Sequence, residues 1–250
     1  MKSIILAAGY ATRLYPLTEN FPKPLLKIGA STILDRLVDD IDSLDEIDGH
    51  IVVSNHKFIS HFEDWKRSRS FNKKVAVIDD GSTENSNRLG AVRDILFAIE
   101  SCGVDEDILV LAGDNLLDFS LRGFVEYQRK KNTACIMRHF EPLKSRLRKT
   151  GVATIDEGDR VLKMQEKPAE PESSWAVPPF YIYTKDDLPY IKKACSLDSE
   201  GKQICGTDAP GDFIAWFCSV RPVHAWLMGG KRRDIGDMRS YEEARRDSSI

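Results

Sequence analysis

A turn of small residues followed by two cations is the first feature of this 250-residue sequence that could do chemistry. The apolar run 4–6 leads into the small residues 7–9, and Arg13 and Lys23 follow at short spacing. Small residues let backbone N–H groups come close to a ligand, while a guanidinium forks across two oxygens and an ammonium acts as a point charge. The spacing therefore indicates a site for phosphate oxygens. Two solvated cations after a buried strand are the alternative.

A carboxylate follows a second apolar run. The apolar run 108–112 is followed directly by Gly113-Asp114. This pattern is typical of a buried strand that presents a carboxylate at its carboxyl end. A hard cation such as Mg²⁺ binds such a group together with phosphate oxygens. Taken alone, the Gly-Asp pair is also compatible with a turn-forming aspartate.

A third candidate group lies at Glu166-Lys167, after the strand-like run 161–165. The carboxylate can accept hydrogen bonds from ring hydroxyls, and the adjacent ammonium can face a phosphate, as a sugar phosphate requires. In isolation such a pair is most often a surface ion pair.

Alternating strands and helices must position these groups. Apolar spacing predicts a helix that begins after an N-cap at Thr32 and further helices at 90–100 and 121–131. Short β-branched or apolar runs predict strands at 51–53, 75–78, 108–112 and 133–137. The alternation predicts an α/β fold with a Rossmann-like, mostly parallel sheet and flanking helices, in a single domain over 1–250. Ligands then lie beyond the carboxyl ends of the strands.

Composition and charge limit the kinds of partner that the protein is expected to bind. The net charge is −3, with both signs mixed along the chain, so charge does not indicate a nucleic acid partner. Apolar runs stay well short of the roughly 20 residues that span a bilayer, and we expect a cytoplasmic protein without membrane contact. The five cysteines are scattered without paired spacing, which favours reduced thiols.

The opening stretch resembles the signature of the sugar-phosphate nucleotidyltransferases, L-A-[AG]-G-x-[GA]-T-R-L-x-P-L-T followed by P-K-[PA]-[LM]. In that family the turn cradles the nucleoside, and its counterparts here are Leu6, Ala7, Ala8 and Gly9. The resemblance implies that Arg13 grips the triphosphate and that Lys23 reaches the reacting phosphates. Ala11 stands where the family usually has a second glycine, so we expect a less close approach of the backbone there.

The same resemblance implies roles for two further sets of residues. Leu89-Gly90-Ala91 is similar to the family's second base-contacting turn, with Gly90 as its glycine and Asn85 or Asn87 as the amide before it. A solvated loop that caps a helix is the alternative for the asparagines. Asp114 and Asp234 match the two carboxylates that hold Mg²⁺. For Asp234, a helix N-cap is the alternative.

The acceptor side of the site is implied in the same way. Gly151 resembles a glycine whose backbone N–H meets a sugar hydroxyl, in what we expect to be a turn at 151–152. Glu166 and Lys167 match the Glu-Lys-Pro element for the sugar 1-phosphate. Tyr181 matches a tyrosine that lines the sugar pocket, although Pro179 replaces the glycine that usually precedes it.

The resemblance therefore implies a Mg²⁺-dependent nucleotidyltransferase with Arg13, Lys23 and Asp114 as catalytic residues. The implied substrates are a nucleoside triphosphate, with dTTP or UTP favoured, and a sugar 1-phosphate, and the products are pyrophosphate and a nucleotide sugar. One alternative is a CTP-dependent enzyme for phosphocholine or an aminoalkylphosphonate, with aromatic groups facing the acceptor's cation. A non-catalytic nucleotide sensor is another. The sequence leaves homo-oligomerisation open.

Overall fold

The computed structural model of the protein describes residues 1–247. Its strands are β1 (Lys2–Leu6), β2 (Lys27–Ile28), β3 (Ser31–Thr32), β4 (Gly49–Ser54), β5 (Lys74–Asp79), β6 (Ile108–Ala112), β7 (Asn115–Leu117), β8 (Ala134–Phe140), β9 (Gly151–Ile155), β10 (Val161–Glu166), β11 (Trp175–Val177), β12 (Phe180–Tyr183), β13 (Val223–Leu227) and β14 (Arg232–Asp234). Its helices are α1 (Ile33–Asp42), α2 (Ile59–Arg67), α3 (Ala91–Cys102), α4 (Arg122–Lys131), α5 (Lys144–Leu147), α6 (Leu188–Ala194), α7 (Pro210–Phe217) and α8 (Met238–Arg246). None of the helices within residues 1–247 is long and apolar enough to cross a membrane.

The chain forms two compact units. The first unit comprises 1–88, 111–122 and the segment from 229 onward, and the second comprises 89–110 and 123–228. In the first unit β1 pairs in parallel with β4, and β4 in parallel with β5, so that the three strands end at one edge. Thr32 caps α1 as predicted, because its hydroxyl accepts from the Asp35 amide while the Asp35 carboxylate accepts from the Thr32 amide.

A buried apolar cluster in the first unit contains the residues that directly follow Arg13 and Asp234. It consists of Leu14, Leu26, Ile28, Ile33, Leu116, Ile235, Tyr241 and Ala244. Leu14 directly follows Arg13, and Ile235 directly follows Asp234. Burying such a side chain stabilises the folded protein by roughly 1.5–3 kcal/mol. The cluster therefore fixes the backbone next to Arg13 and Asp234.

Strand pairing in the second unit is mixed. β8 pairs antiparallel with β11 and β12 and in parallel with β13, and β9 pairs antiparallel with β10 and β11. The predicted α/β class, with a sheet flanked by helices, is confirmed. The parallel arrangement that strand and helix alternation predicted is found in the first unit. The single-domain assignment stays a prediction.

Two local predictions need correction. Gly151 lies in strand β9 rather than in a turn, because it pairs with Glu166 across the β9–β10 ladder. The residues 232–234 also form a strand, β14, which pairs antiparallel with β7. The N-cap of α8 is Asp237, whose carboxylate accepts from the Ser240 amide, so the alternative role for Asp234 as a helix cap is wrong.

A buried polar chain joins β1, β4 and the end of α1. Ser3 Oγ lies 2.7 Å from His50 Nδ1, and His50 Nε2 lies 3.0 Å from Asp42 Oδ1. Burial lowers the pKa of His50, although Asp42 opposes the shift. Burial acts to raise the pKa of Asp42, but the Asn72 amide, His50 and the Lys73 amide outweigh it and lower the pKa.

These shifts predict loss of stability in mild acid. The unfolded chain binds a proton at His50 near pH 6.5, whereas the folded protein binds it only at lower pH. The free energy of unfolding therefore falls as the pH drops below 6.5, and Asp42 adds to the loss below pH 3.8. Urea unfolding at pH 8 and pH 5.5 measures the effect. His50→Gln should flatten the dependence between these values, and an unchanged slope would contradict the assignment.

Candidate functional site

A pocket of about 330 Å³ opens at the strand ends of the first unit. The predicted residues that line it are Leu6, Ala7, Gly9, Arg13, Lys23, Asn85 and Asp114. They come together because the residues that follow β1, β5 and β6 meet at this edge. The small-residue turn and Asp114 of the Gly-Asp pair thus line one pocket.

The turn after β1 is held by a buried asparagine. Asn55 Nδ2 donates to the Ala8 carbonyl at 2.9 Å, and Asn55 Oδ1 accepts from the Phe58 amide at 3.0 Å. Ala8 is therefore a buried support of the turn rather than part of the pocket lining. A Cβ atom built on Gly9 would meet nothing within 4 Å, so this glycine borders open space through which a ligand can approach.

Ala11 occupies a backbone conformation that favours glycine, with φ 46° and ψ 42°. Its carbonyl accepts from Thr18 Oγ1 at 2.8 Å and from the Leu14 amide at 2.9 Å, and these bonds fix the turn that carries Arg13. The left-handed conformation costs an alanine roughly 1 kcal/mol. The family's usual glycine at this position therefore has a conformational reason.

Ala11→Gly should leave the free energy of unfolding unchanged or raise it by up to about 1 kcal/mol, because glycine relieves the strain while the unfolded chain gains entropy. Ala98→Gly, in the buried middle of α3, is the matched control and should lose at least about 1 kcal/mol. Guanidinium unfolding measures both. Equal losses in the two variants would contradict the role assigned to the backbone at Ala11.

Lys23 and Asp114 form an ion pair inside the pocket. Nζ of Lys23 lies 2.5 Å from Oδ2 of Asp114, and the lysine side chain is only 9% exposed. The segment that carries Lys23 forms one turn of 3₁₀ helix, Lys23–Leu25. Asn115 Nδ2 donates to the other carboxylate oxygen, Oδ1, at 2.8 Å, so Asp114 is held from both sides.

The β7–β14 ladder brings Asp234 beside this pair. Asp234 pairs with Asn115 in the ladder, and the Ile235 amide donates to the Asp114 carbonyl at 3.3 Å. Partial burial and the negative charge of Asp114 raise the pKa of Asp234. Arg232, Lys23 and Arg13 oppose this shift.

The two candidate asparagines differ in their surroundings. Asn87 is engaged within its own loop, because its Oδ1 accepts from the amides of Thr83 and Glu84 and its Nδ2 donates to Thr83 Oγ1. Asn85 lines the pocket. Its Oδ1 lies 3.4 Å from Nη1 of Arg88, which lines the same pocket. The geometry therefore favours Asn85 over Asn87 as a ligand group.

Gly90 belongs to the second unit and has φ 92°. A Cβ atom there would lie 2.6 Å from the Thr207 carbonyl oxygen, and the adjacent Ala91 amide donates to Asp208 at 3.0 Å. Both the positive φ and the close approach require glycine at this position.

The predicted acceptor residues also lie in the second unit. Glu166 faces Gly151 across the β9–β10 ladder, and Lys167 Nζ lies 3.7 Å from Glu166 Oε1. Lys167 has φ 45°, and its amide donates to the Thr150 carbonyl. Tyr181 is buried in β12, with its ring stacked on Tyr183 at 6.2 Å between centroids.

Sequence inspection missed the residues that hold the ligand groups in place. Asn55 lies in the loop after β4 and Asn115 begins β7, and both side chains are buried. Arg88, in the loop between β5 and α3, also lines the pocket. The signal for Asn115 is its place directly after Gly-Asp at the end of an apolar strand. Nothing in the local sequence around Asn55 indicates that it fastens another loop.

A family model for nucleotidyl transferases matches residues 2–249, and the chain belongs to that family. The uridylyltransferase AglF of Haloferax volcanii, which acts on UTP and glucose 1-phosphate, is 28% identical, with 98% of this chain and 95% of that protein covered. The bifunctional protein GlmU of Methanococcus aeolicus is 32% identical over 70% of this chain.

The coverage of these relatives differs. The alignment spans 38% of the Methanococcus aeolicus protein and 51% of the Methanocaldococcus jannaschii one, which is also a bifunctional GlmU. Among solved structures, a UDP-glucose pyrophosphorylase with UDP-glucose has a TM-score of 0.79 at 20% identity, and the match covers 98% of this chain and 97% of that one. That similarity establishes the fold.

Proposed function

We propose that the protein joins a nucleoside triphosphate to a sugar 1-phosphate and releases pyrophosphate. The observation that carries the proposal is the pocket in which the small-residue turn, Arg13 and the Lys23–Asp114 pair meet. The similarity to AglF along nearly the whole of both chains supports a sugar 1-phosphate as acceptor and UTP as a donor. The relatives do not favour phosphocholine or an aminoalkylphosphonate.

The chemistry needs charge neutralisation and alignment rather than a covalent nucleophile. In our proposal the backbone of residues 6–9 cradles the nucleoside, and Asn85 and Gly90 contact the base. Arg13 binds the triphosphate oxygens and Lys23 the reacting phosphates, where fixed positive charge stabilises the transition state. The attacking oxygen belongs to the acceptor's phosphate.

The acceptor is held by the second unit in this proposal. The Gly151 amide and the Glu166 carboxylate bind sugar hydroxyls, Lys167 faces the acceptor's phosphate, and Tyr181 supports the sugar pocket from the buried strand β12.

Asp114 and Asp234 fit a Mg²⁺ ion. Magnesium is usually bound by one or two carboxylates and by substrate phosphates, and the charge of Asp114 raises the pKa of its neighbour Asp234. Residues 1–247 contain no group of three or more His, Cys, Asp or Glu arranged to hold a metal by themselves, so a bound ion would share the nucleotide's oxygens. When bound, the ion would neutralise charge on the phosphates.

Asn115 should act as a positioning residue for Asp114. Asn115→Ala removes the hydrogen bond to Oδ1, and we expect activity to fall about tenfold while the Mg²⁺ concentration for half-maximal activity rises. Asn72→Ala, at an exposed side chain, is the matched control. A loss of activity without a shift in the Mg²⁺ requirement would contradict this role.

The test of the proposed function is a panel that crosses five nucleoside triphosphates with glucose 1-phosphate and phosphocholine, read by pyrophosphate release. We expect turnover with glucose 1-phosphate and UTP or dTTP. Turnover confined to CTP with phosphocholine would overturn the proposed acceptor. Binding of nucleotide without turnover on any acceptor would favour the sensor alternative.

A further inference from the structure

Glu166 is the last residue of β10 and is largely buried. Its side chain is 13% exposed, and it pairs with Gly151 in the β9–β10 ladder. Burial raises the pKa of Glu166, Lys167 opposes the shift, and the charge of Asp212 in α7 adds to it. A largely buried carboxylate can adopt few side-chain conformations. The groups that pack against it therefore determine the orientation of its oxygens.

Two glycines provide the space that this carboxylate occupies. A Cβ atom on Gly211, in the first turn of α7, would overlap Oε2 of Glu166 and lie 2.9 Å from Cε of Met164. A Cβ atom on Gly151 would lie 2.5 Å from Cε of Met164 and 3.3 Å from the same Oε2. Neither glycine has a positive φ, so the backbone conformation does not demand glycine at either position. The requirement is for space.

We propose that Gly211 is a positioning residue for acceptor binding, because the bare first turn of α7 lets the Glu166 carboxylate take the orientation in which it accepts from the sugar. The inference rests on the proposed function, since it gives Glu166 the role of sugar ligand. It adds a segment of the chain, the start of α7, that the motif at 166–168 does not include.

Gly211→Ala tests this directly. The obstructing atoms are the tips of two flexible side chains, Glu166 and Met164, and the carboxylate is the closer of the two, so the added methyl should displace it and leave the fold intact. We expect the KM for glucose 1-phosphate to rise about 10- to 100-fold, since small misplacements of a binding group have effects of that size. The KM for the nucleotide and the melting temperature should stay close to wild type.

A double variant separates displacement from a general defect. Glu166→Asp shortens the side chain by one methylene and makes room for the new methyl. Glu166→Asp alone should raise the KM for the acceptor, and adding Gly211→Ala to it should raise the KM by much less than Gly211→Ala does in the wild type. Multiplicative effects would overturn the proposal.

Gly158→Ala in the β9–β10 turn is the matched control, and it should leave both KM values unchanged. Wild-type kinetics for Gly211→Ala would also overturn the inference. A crystal structure of Gly211→Ala reports the position of Glu166 without any reaction. If the wild-type protein does not turn over a nucleoside triphosphate with glucose 1-phosphate, the proposed function alone is wrong. If the Glu166 carboxylate of Gly211→Ala keeps its wild-type position, this inference alone is wrong.

Discussion

Lys23→Met should lower kcat about 100- to 1,000-fold. The side chain is buried, its Nζ lies 2.5 Å from Asp114 Oδ2, and methionine keeps much of its volume while removing the charge. Loss of one fixed charge or donor aimed at the reacting group typically has an effect of this size. Steady-state pyrophosphate release under saturating nucleotide and glucose 1-phosphate measures it.

The control for this variant is Lys27→Met, at an exposed lysine in β2, which should retain wild-type activity. Lys23→Arg keeps the charge but changes its geometry, so it should recover only part of the loss. A melting temperature near wild type shows that Lys23→Met is folded. Activity within threefold of wild type in a folded Lys23→Met protein would contradict a catalytic role for Lys23.

Asp114→Asn should have the largest effect, a fall in kcat of about 1,000-fold or more. It removes one of the two neighbouring carboxylates proposed to hold Mg²⁺ and leaves the buried ammonium of Lys23 without its charged partner. The free energy of unfolding should also fall, by about 1–3 kcal/mol, because the buried ammonium loses its negative counter-charge and keeps only a neutral acceptor. Activity over a Mg²⁺ titration and urea unfolding measure the two effects separately.

Asp64→Asn on the exposed face of α2 is the matched control and should change neither quantity. Wild-type activity should also be lost on chelation and restored by added Mg²⁺. Pyrophosphate release that persists unchanged in Asp114→Asn, or that ignores a chelator, would contradict the metal site.

The residues that follow strand ends were predictable because local pattern alone places them. Runs such as 4–6 and 108–112 are apolar throughout, which identifies buried strands and puts Arg13, Lys23 and Asp114 at one edge of the sheet. The Thr32 cap followed from its place before the apolar spacing of α1. These features depend on neighbours within a few residues.

The remaining parts depend on contacts between distant segments. The strand that carries Asp234 is short and basic, and it forms only because β7 supplies its partner. Gly211 meets Glu166 through the packing of α7 on β10, which no local pattern at either residue reveals. At Ala11 the missing glycine predicted only a less close approach of the backbone, whereas the structure shows a left-handed conformation with a φ of 46°.

The pairing of β7 with β14 has a consequence for biosynthesis. Asp114 emerges from the ribosome long before Asp234, because the strand β14 that aligns them lies far along the chain from β7. Loop closure over such a long stretch costs entropy and slows folding. A nascent chain could therefore form its first parallel strands early, yet both carboxylates come together only once translation has passed residue 234.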